Sequence, residues 1–230
     1  KEGIMMDREF EKTFEHLCVT RTPRSVWDDF VALSAIAISN ELDFRDDREE
    51  LEASILEKYS SQEIWMMQEL FDRTADVLEK NPNQDYLGEL FSQFQWSKDE
   101  RLYLTPYDEA KSAAQFCLEQ TVANPFTSLR DPNCGSGTML IAAFNQMTSM
   151  NRNPHMRLFC IGLEPDFTTA MMCYIQISFL GIAGYIMTGG NLNRSLKELS
   201  LIAPEEAWCT PAYYHRTWQA RRLAKYIQDL

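Results

Sequence analysis

The residues with the most chemical content stand together in Asp131-Pro132-Asn133-Cys134-Gly135-Ser136-Gly137. Strand-compatible residues, Phe126 to Arg130, lead into this run, and good helix formers, Thr138 to Phe144, follow it. Glycine at a strand-to-helix turn lets backbone N–H groups approach a ligand with no Cβ in the way. An acid at the strand end does not suit a phosphate; it suits a cation. S-adenosylmethionine fits that combination, because its methionine part carries an ammonium and a sulfonium. The plainer role for Asp131 is to cap the helix that follows. No His or Asp pairing supports Cys134 as a nucleophile, so it is expected to be a small apolar filler. Gly135 and Gly137 allow the tight turn under either role.

Three more segments fall in order around this one: Tyr103-Leu104-Thr105-Pro106 upstream, then Gly162-Leu163-Glu164-Pro165-Asp166 and Gly190-Asn191-Leu192 downstream. Together the four segments resemble N6-adenine DNA methyltransferases, especially those similar to the modification subunit of type I restriction systems. A single glycine-rich turn is a weak signal, whereas four ordered segments are a specific one. The resemblance runs from about Leu87 to Asn193 and implies a Rossmann-like core for S-adenosylmethionine. It implies that Thr105 holds the methionine carboxylate, Asp131 the ammonium, Glu164 the ribose hydroxyls and Asn191 the adenine amino group. A bidentate acid at the end of the second strand suits a ribose for the same reason as in NAD folds. Asn191 stands where the family has an acid, and its amide oxygen accepts a weaker, uncharged bond. Other roles stay open: Thr105 as the N-cap of the next helix, and Glu164 as a surface acid.

The elements that position these residues are of two kinds. Residues 1–96 read as a helical N-terminal region, with helices expected over Asp7–Cys18, Ser25–Asn40, Asp43–Lys58, Gln62–Lys80 and Asp85–Phe94. On the fourth, Ile64, Trp65, Met67, Leu70 and Phe71 form the expected apolar face. Residues 97–230 read as the cofactor-binding methyltransferase-like domain, an α/β unit of alternating helices and strands. Helices are expected at Pro106–Gln120, Ser136–Met150 and Phe167–Leu180. Strands are expected at Phe126–Asp131, Arg157–Leu163 and Tyr185–Thr188, and a final helix from Tyr213 on. Strand-helix-strand order implies a parallel sheet, here possessing only the first half of a full methyltransferase set.

Composition bounds the rest. The 230 residues suffice for one α/β core with a helical extension. The formal net charge of -12 argues against strong unaided binding of DNA. The best basic cluster is Arg216, Arg221, Arg222 and Lys225, otherwise a solvated helix face. Six cysteines without C-x-x-C spacing and three scattered histidines oppose a zinc site or a disulfide framework and fit a reducing cytoplasm. The charged N-terminus lacks the apolar core of a secretory signal. The uncharged span Phe167 to Asn193 reads as a buried helix and strand, because polar residues and Gly181 and Gly184 interrupt it.

The acceptor segment departs most from the family. Its members carry an acid or amide, two prolines and an aromatic residue after the fourth strand; the first groups accept bonds from the target amine and the ring stacks on the flipped base. The nearest match here is Thr210-Pro211-Ala212-Tyr213, which makes Thr210, Pro211 and Tyr213 the candidate catalytic residues. The alternative is a loop that enters the last helix and buries Trp208 and Trp218. No target-recognition segment is legible after it. Three functions follow: a DNA adenine-N6 methyltransferase, a catalytically inactive cofactor-binding relative acting through protein partners in anti-restriction or regulation, and a methyltransferase for another substrate. A protein partner or a homo-oligomer is compatible with all three, and turnover stays open.

Overall fold

The computed structural model describes residues 7–94, 105–189 and 199–228. Five helices come first: α1 (Arg8–Leu17), α2 (Pro23–Asn40), α3 (Asp46–Leu56), α4 (Ser61–Lys80) and α5 (Tyr86–Gln93). Their boundaries have local causes. Asp7 accepts from the Glu9 and Phe10 amides at the start of α1, and Thr22 caps α2 with Pro23 in its first turn. Ser60 and Glu63 form a reciprocal capping box on α4.

Next come α6 (Tyr107–Glu119), β1 (Thr127–Asp131), α7 (Thr138–Ser149), α8 (Pro154–Arg157), β2 (Leu158–Glu164), α9 (Phe167–Phe179) and β3 (Ala183–Thr188). β1, β2 and β3 are parallel and adjacent in that order. A two-residue strand, β4 (Trp208–Cys209), runs antiparallel along β3, and α10 (Arg216–Gln228) follows a 3-10 turn over Pro211–Tyr214. The run before Trp208 does not read as a strand, yet β4 forms: Tyr185 pairs with Cys209 and Ile186 with Trp208. α8 and the 3-10 turn are likewise too short for a periodic pattern to announce.

The sheet alternates between two cores, as a period of two requires. Leu158, Cys160 and Ile186 face one core, shared with α7, α9 and the N-terminal helices. Phe159, Ile161, Leu163, Tyr185 and Met187 face a second core, closed by Leu199, Leu201, Tyr213 and Trp218. The helical region therefore does not stand apart: Phe10, Trp27, Phe30, Leu70, Leu87 and Phe91 belong to the same cluster as Ile141, Met171 and Ile175. Trp65 is the exception to the expected face of α4 and is 62% exposed, whereas Met67 and Leu70 are buried. Arg48 fastens the helices to the far end of the chain: its guanidinium lies 3.9 Å over Trp208 and donates to the Ala207 carbonyl at 3.1 Å. Among the described residues no helix is long and apolar enough to cross a membrane.

Because α9 is buried from Thr168 to Ile177, removing α1–α4 leaves a core helix in water. A chain beginning at Gln84 is expected to be insoluble or to melt well below the intact protein. Soluble expression with an unchanged melting temperature contradicts the shared core.

Candidate cofactor site

Open parallel sheets bind ligands outside the carboxyl ends of their strands. Asp131 ends β1 and Glu164 ends β2, with Asp131 in register with Gly162, so both acids lie at that end of neighbouring strands. Asp131 accepts from the Asn133 amide at 3.1 Å. Burial pushes its carboxyl above the ordinary aspartate range, more than the Asn133 bond pulls it down. It does not cap α7: the N-cap there is Gly137. Glu164 accepts from the Gly135 amide and from the Asp166 amide, both at 3.1 Å. It thus closes the glycine turn over the end of β2, and each oxygen keeps a lone pair for a further donor.

The turn between the acids is held from below. Cys134 is buried and donates its amide to the Leu163 carbonyl at 3.0 Å. Gly135 and Gly137 have φ of 54° and 101°, the left-handed region that side chains avoid. A Cβ on Gly135 would meet nothing within 4 Å, so the turn is open above that residue. A Cβ on Gly137 would meet the Cys173 Sγ at 2.9 Å, so the start of α7 can lie against α9 only without one.

A residue outside the four sequence segments braces this turn. Asp85, the N-cap of α5, is 3% exposed. One of its oxygens accepts from the Gly88 amide at 3.0 Å and from Gln176 Nε2 at 2.8 Å. The other accepts from Thr138 Oγ1 at 2.6 Å and from Ser136 Oγ. Gln176 completes the network by donating to the Ser136 carbonyl at 2.8 Å and accepting from the Leu87 amide at 3.1 Å. A Cβ on Gly88 would come within 2.6 Å of both Asp85 and Ser136, which is why a glycine stands there. Four bonds satisfy a carboxylate that would otherwise be costly to bury. Only the acid at a helix start was legible in sequence; its three distant partners are set by tertiary packing.

Thr105 is exposed just before α6, whose N-cap is Pro106 without any side-chain cap bond. The capping role is therefore not realised, and no described contact joins Thr105 to Asp131 or Glu164. Its helix is fixed to α7, where Asn145 donates to the Tyr107 hydroxyl at 2.8 Å. Asn191 lies outside the described residues.

Thr210, Pro211 and Tyr213 are not brought to these groups. The Thr210 amide donates to the Gly184 carbonyl at 3.0 Å, and its hydroxyl donates to the Ile182 carbonyl at 2.8 Å and accepts from the Gly184 amide at 3.1 Å. Those partners stand at the amino end of β3, about 16 Å from its carboxyl end at ~3.3 Å per residue. Thr210 is 0% exposed and Tyr213 8%. The Tyr213 hydroxyl accepts from the Ala203 amide at 3.1 Å, and the Arg222 guanidinium covers its ring at 3.6 Å. The antiparallel turn-back through β4 is the physical reason: it carries the chain away from the carboxyl ends of the parallel strands before Thr210 is reached. Pro211 starts the 3-10 turn, and Trp208 and Trp218 are buried. The assignment of these three residues to the acceptor therefore fails on position, and the loop alternative describes the segment.

The sequence profile described as N-6 DNA Methylase matches residues 85–225. Its match begins at the bracing Asp85. Among solved structures, a protein from Listeria monocytogenes described as a class I S-adenosylmethionine-dependent methyltransferase is similar over 93% of this chain and 70% of its own, at 14% identity and a TM-score of 0.37. No curated protein matches the chain. The profile covers more than half of the 230 residues, and the chain belongs to the N-6 DNA methylase family.

Two substitutions check this geometry. Asp85→Ala strands the donors on Gly88, Ser136, Thr138 and Gln176, and is expected to cost about 3 kcal/mol or more of unfolding free energy in urea titration. Thr210→Ala leaves the Gly184 amide without its side-chain acceptor and is expected to cost about 1–3 kcal/mol. A Thr210→Ala protein as stable as the parent contradicts the sealed position of that hydroxyl.

Proposed function

We propose that this member of the N-6 DNA methylase family binds S-adenosylmethionine at the carboxyl ends of β1 and β2 and acts on the N6 amine of adenine in DNA. The observation that carries the cofactor part is the pair of carboxylates at neighbouring strand ends, on either side of a turn open above Gly135. In this reading Asp131 receives the ammonium, Glu164 the two ribose hydroxyls, Thr105 the methionine carboxylate and Asn191 the adenine amine. The residues present fit that ligand. Asp131 is a partly buried carboxyl with no ion pair among the described residues, and a ligand cation is the partner it lacks. The cofactor, when bound, supplies the electrophilic methyl group. The chain's own work is to orient it through the turn that Asp85 and Glu164 hold. Family membership supports the DNA part, and the six free cysteines fit a reducing cytoplasm.

A second reading has its own observation. The segment nearest to the family's acceptor motif is sealed at the other end of the sheet. That supports a cofactor-binding relative that works through protein partners, with methyl transfer by the isolated chain slow or absent. Positioning of the reacting amine is worth several orders of magnitude in rate.

Calorimetry tests the cofactor reading. Glu164→Ala is expected to weaken S-adenosylmethionine by about 1–3 kcal/mol, from lost charge-assisted hydrogen bonds. Affinity is also expected to fall on acidification, starting at a higher pH than an ordinary aspartate would dictate. The sign follows from Asp131: its raised pKa returns the proton at a higher pH than an ordinary aspartate does, and only the ionised form pairs with an ammonium. Asp131→Asn should flatten that dependence. No heat at about millimolar ligand, or an unchanged affinity in Glu164→Ala, sinks the assignment. A transfer assay with labelled cofactor and mixed DNA separates the two readings: robust transfer by the isolated chain excludes the inactive one.

A further inference from the structure

The helical region reaches the carboxyl end of the sheet through α5, whose Asp85 braces the glycine turn, and also through α2. The α2 contact falls on the loop that follows Glu164. Arg24 lies in the first turn of α2, where the helix dipole disfavours a cation. Its Nε donates to both oxygens of Asp28, at 2.9 and 3.0 Å. That order, base four residues before acid, is the weaker one on a lone helix. The helix by itself therefore does not account for the pair; what the pair meets across the interface does.

Asp28 Oδ1 accepts from the Thr168 hydroxyl, in the first turn of α9, at 2.7 Å. Arg24 Nη2 stands 3.9 Å from Asp166 Oδ2. The other Asp166 oxygen caps α9, accepting from the Thr169 amide at 2.8 Å and the Thr169 hydroxyl at 2.6 Å. The Asp166 amide in turn donates to Glu164 Oε1 at 3.1 Å. One connected path thus runs from α2 through Thr168 and Asp166 to the carboxylate that ends β2. Asp28, Asp166 and Glu164 bring three negative charges to this path, and among the described residues Arg24 is the cation that pairs with the first two. Its guanidinium lies 5.4 Å over the Phe91 ring, and its side chain is only 27% exposed. A planar fork held by a bidentate carboxylate and a ring keeps one geometry, unlike a freely solvated surface pair.

We propose that Arg24 and Asp28 are positioning residues for the cofactor: they fix the loop from Glu164 to Thr168 and, through the Asp166 amide, the orientation of the Glu164 carboxylate. This rests on the reading that Glu164 takes the ribose hydroxyls and deepens it by naming what holds that acid in place. Glu164 has two orienting donors, the Gly135 amide and the Asp166 amide. The first belongs to the turn that Asp85 braces, the second to the loop that α2 braces. The helical region sets both donors, each from a different helix. A bidentate acid is sensitive to such support, since it must meet both hydroxyls at once.

Calorimetry of the full chain with S-adenosylmethionine tests this through a double-mutant cycle. Arg24→Gln is expected to weaken binding about fivefold. Thr168→Val keeps the side-chain shape, removes the bond to Asp28 and is expected to act in the same direction. In a Glu164→Ala background, Arg24→Gln is expected to change the affinity by less than about twofold, because the acid it positions is gone. Arg24→Lys keeps the charge without the fork and is expected to fall between Arg24→Gln and the wild type. A purely structural pair gives another pattern: a lower melting temperature and the same loss of affinity in both backgrounds. Additive losses overturn the proposal, and so do folded Arg24→Gln and Thr168→Val proteins that bind as tightly as the wild type. If Arg24→Gln does not fold, the cycle of Thr168→Val with Glu164→Ala decides the matter. A wild type that gives no heat overturns the cofactor reading and this one with it, whereas wild-type binding with unaffected variants overturns this one alone.

Discussion

A carboxylate buried without a cation is tolerated only when hydrogen bonds replace the water it has lost. Asp85 meets that condition with four, and they come from three separate parts of the chain. Gly88 ties it to its own helix, Ser136 and Thr138 to the glycine turn, and Gln176 to the helix between β2 and β3. Because these bonds run from the helical region into the turn, neither part can be set without the other. Gly88 and Gln176 make sense only in this context: one residue small enough for close approach and one amide with both ends used. The helical region is thus less a cap beside the cofactor fold than one wall of its central turn.

The sheet then has two unlike ends. At the carboxyl end the chain leaves two acids and an open turn. At the amino end it returns through β4 and seals Thr210 against the backbone of β3. Tyr213 and Trp218 fill the second core from that side. The same short antiparallel turn-back that completes the core also removes the nearest acceptor-like residues from the chemistry. Packing holds this segment.

The pattern of elements was legible because its signals are local. Apolar periodicity and the glycine turn placed the helices and the three parallel strands to within a few residues. Trp65 was misread because helical spacing cannot tell which side of a broad apolar face meets a neighbour. β4 was missed because two residues of strand carry no period; their pairing with β3 is fixed by the tertiary fold. The two strand-end acids, Asp131 and Glu164, were legible because their strand ends are marked in sequence, although their register could be known only from the sheet. Asp85 could be read no further than the first residue of a helix, since partners 51 to 91 residues away leave no local trace. The misplacement of Thr210, Pro211 and Tyr213 has the same root: linear distance after Asn191 says nothing about which end of the sheet the chain returns to.

The account's central claim is that ligand chemistry belongs to the carboxyl end of β1 and β2 and that the amino end is structural. Hydrogen exchange of the intact protein with and without S-adenosylmethionine measures this directly. The account predicts added protection in the turn from Asp131 to Gly137 and around Glu164 to Thr168, with none over Thr210 to Tyr214. Ligand-induced protection confined to Thr210–Tyr214, with the glycine turn unchanged, contradicts it.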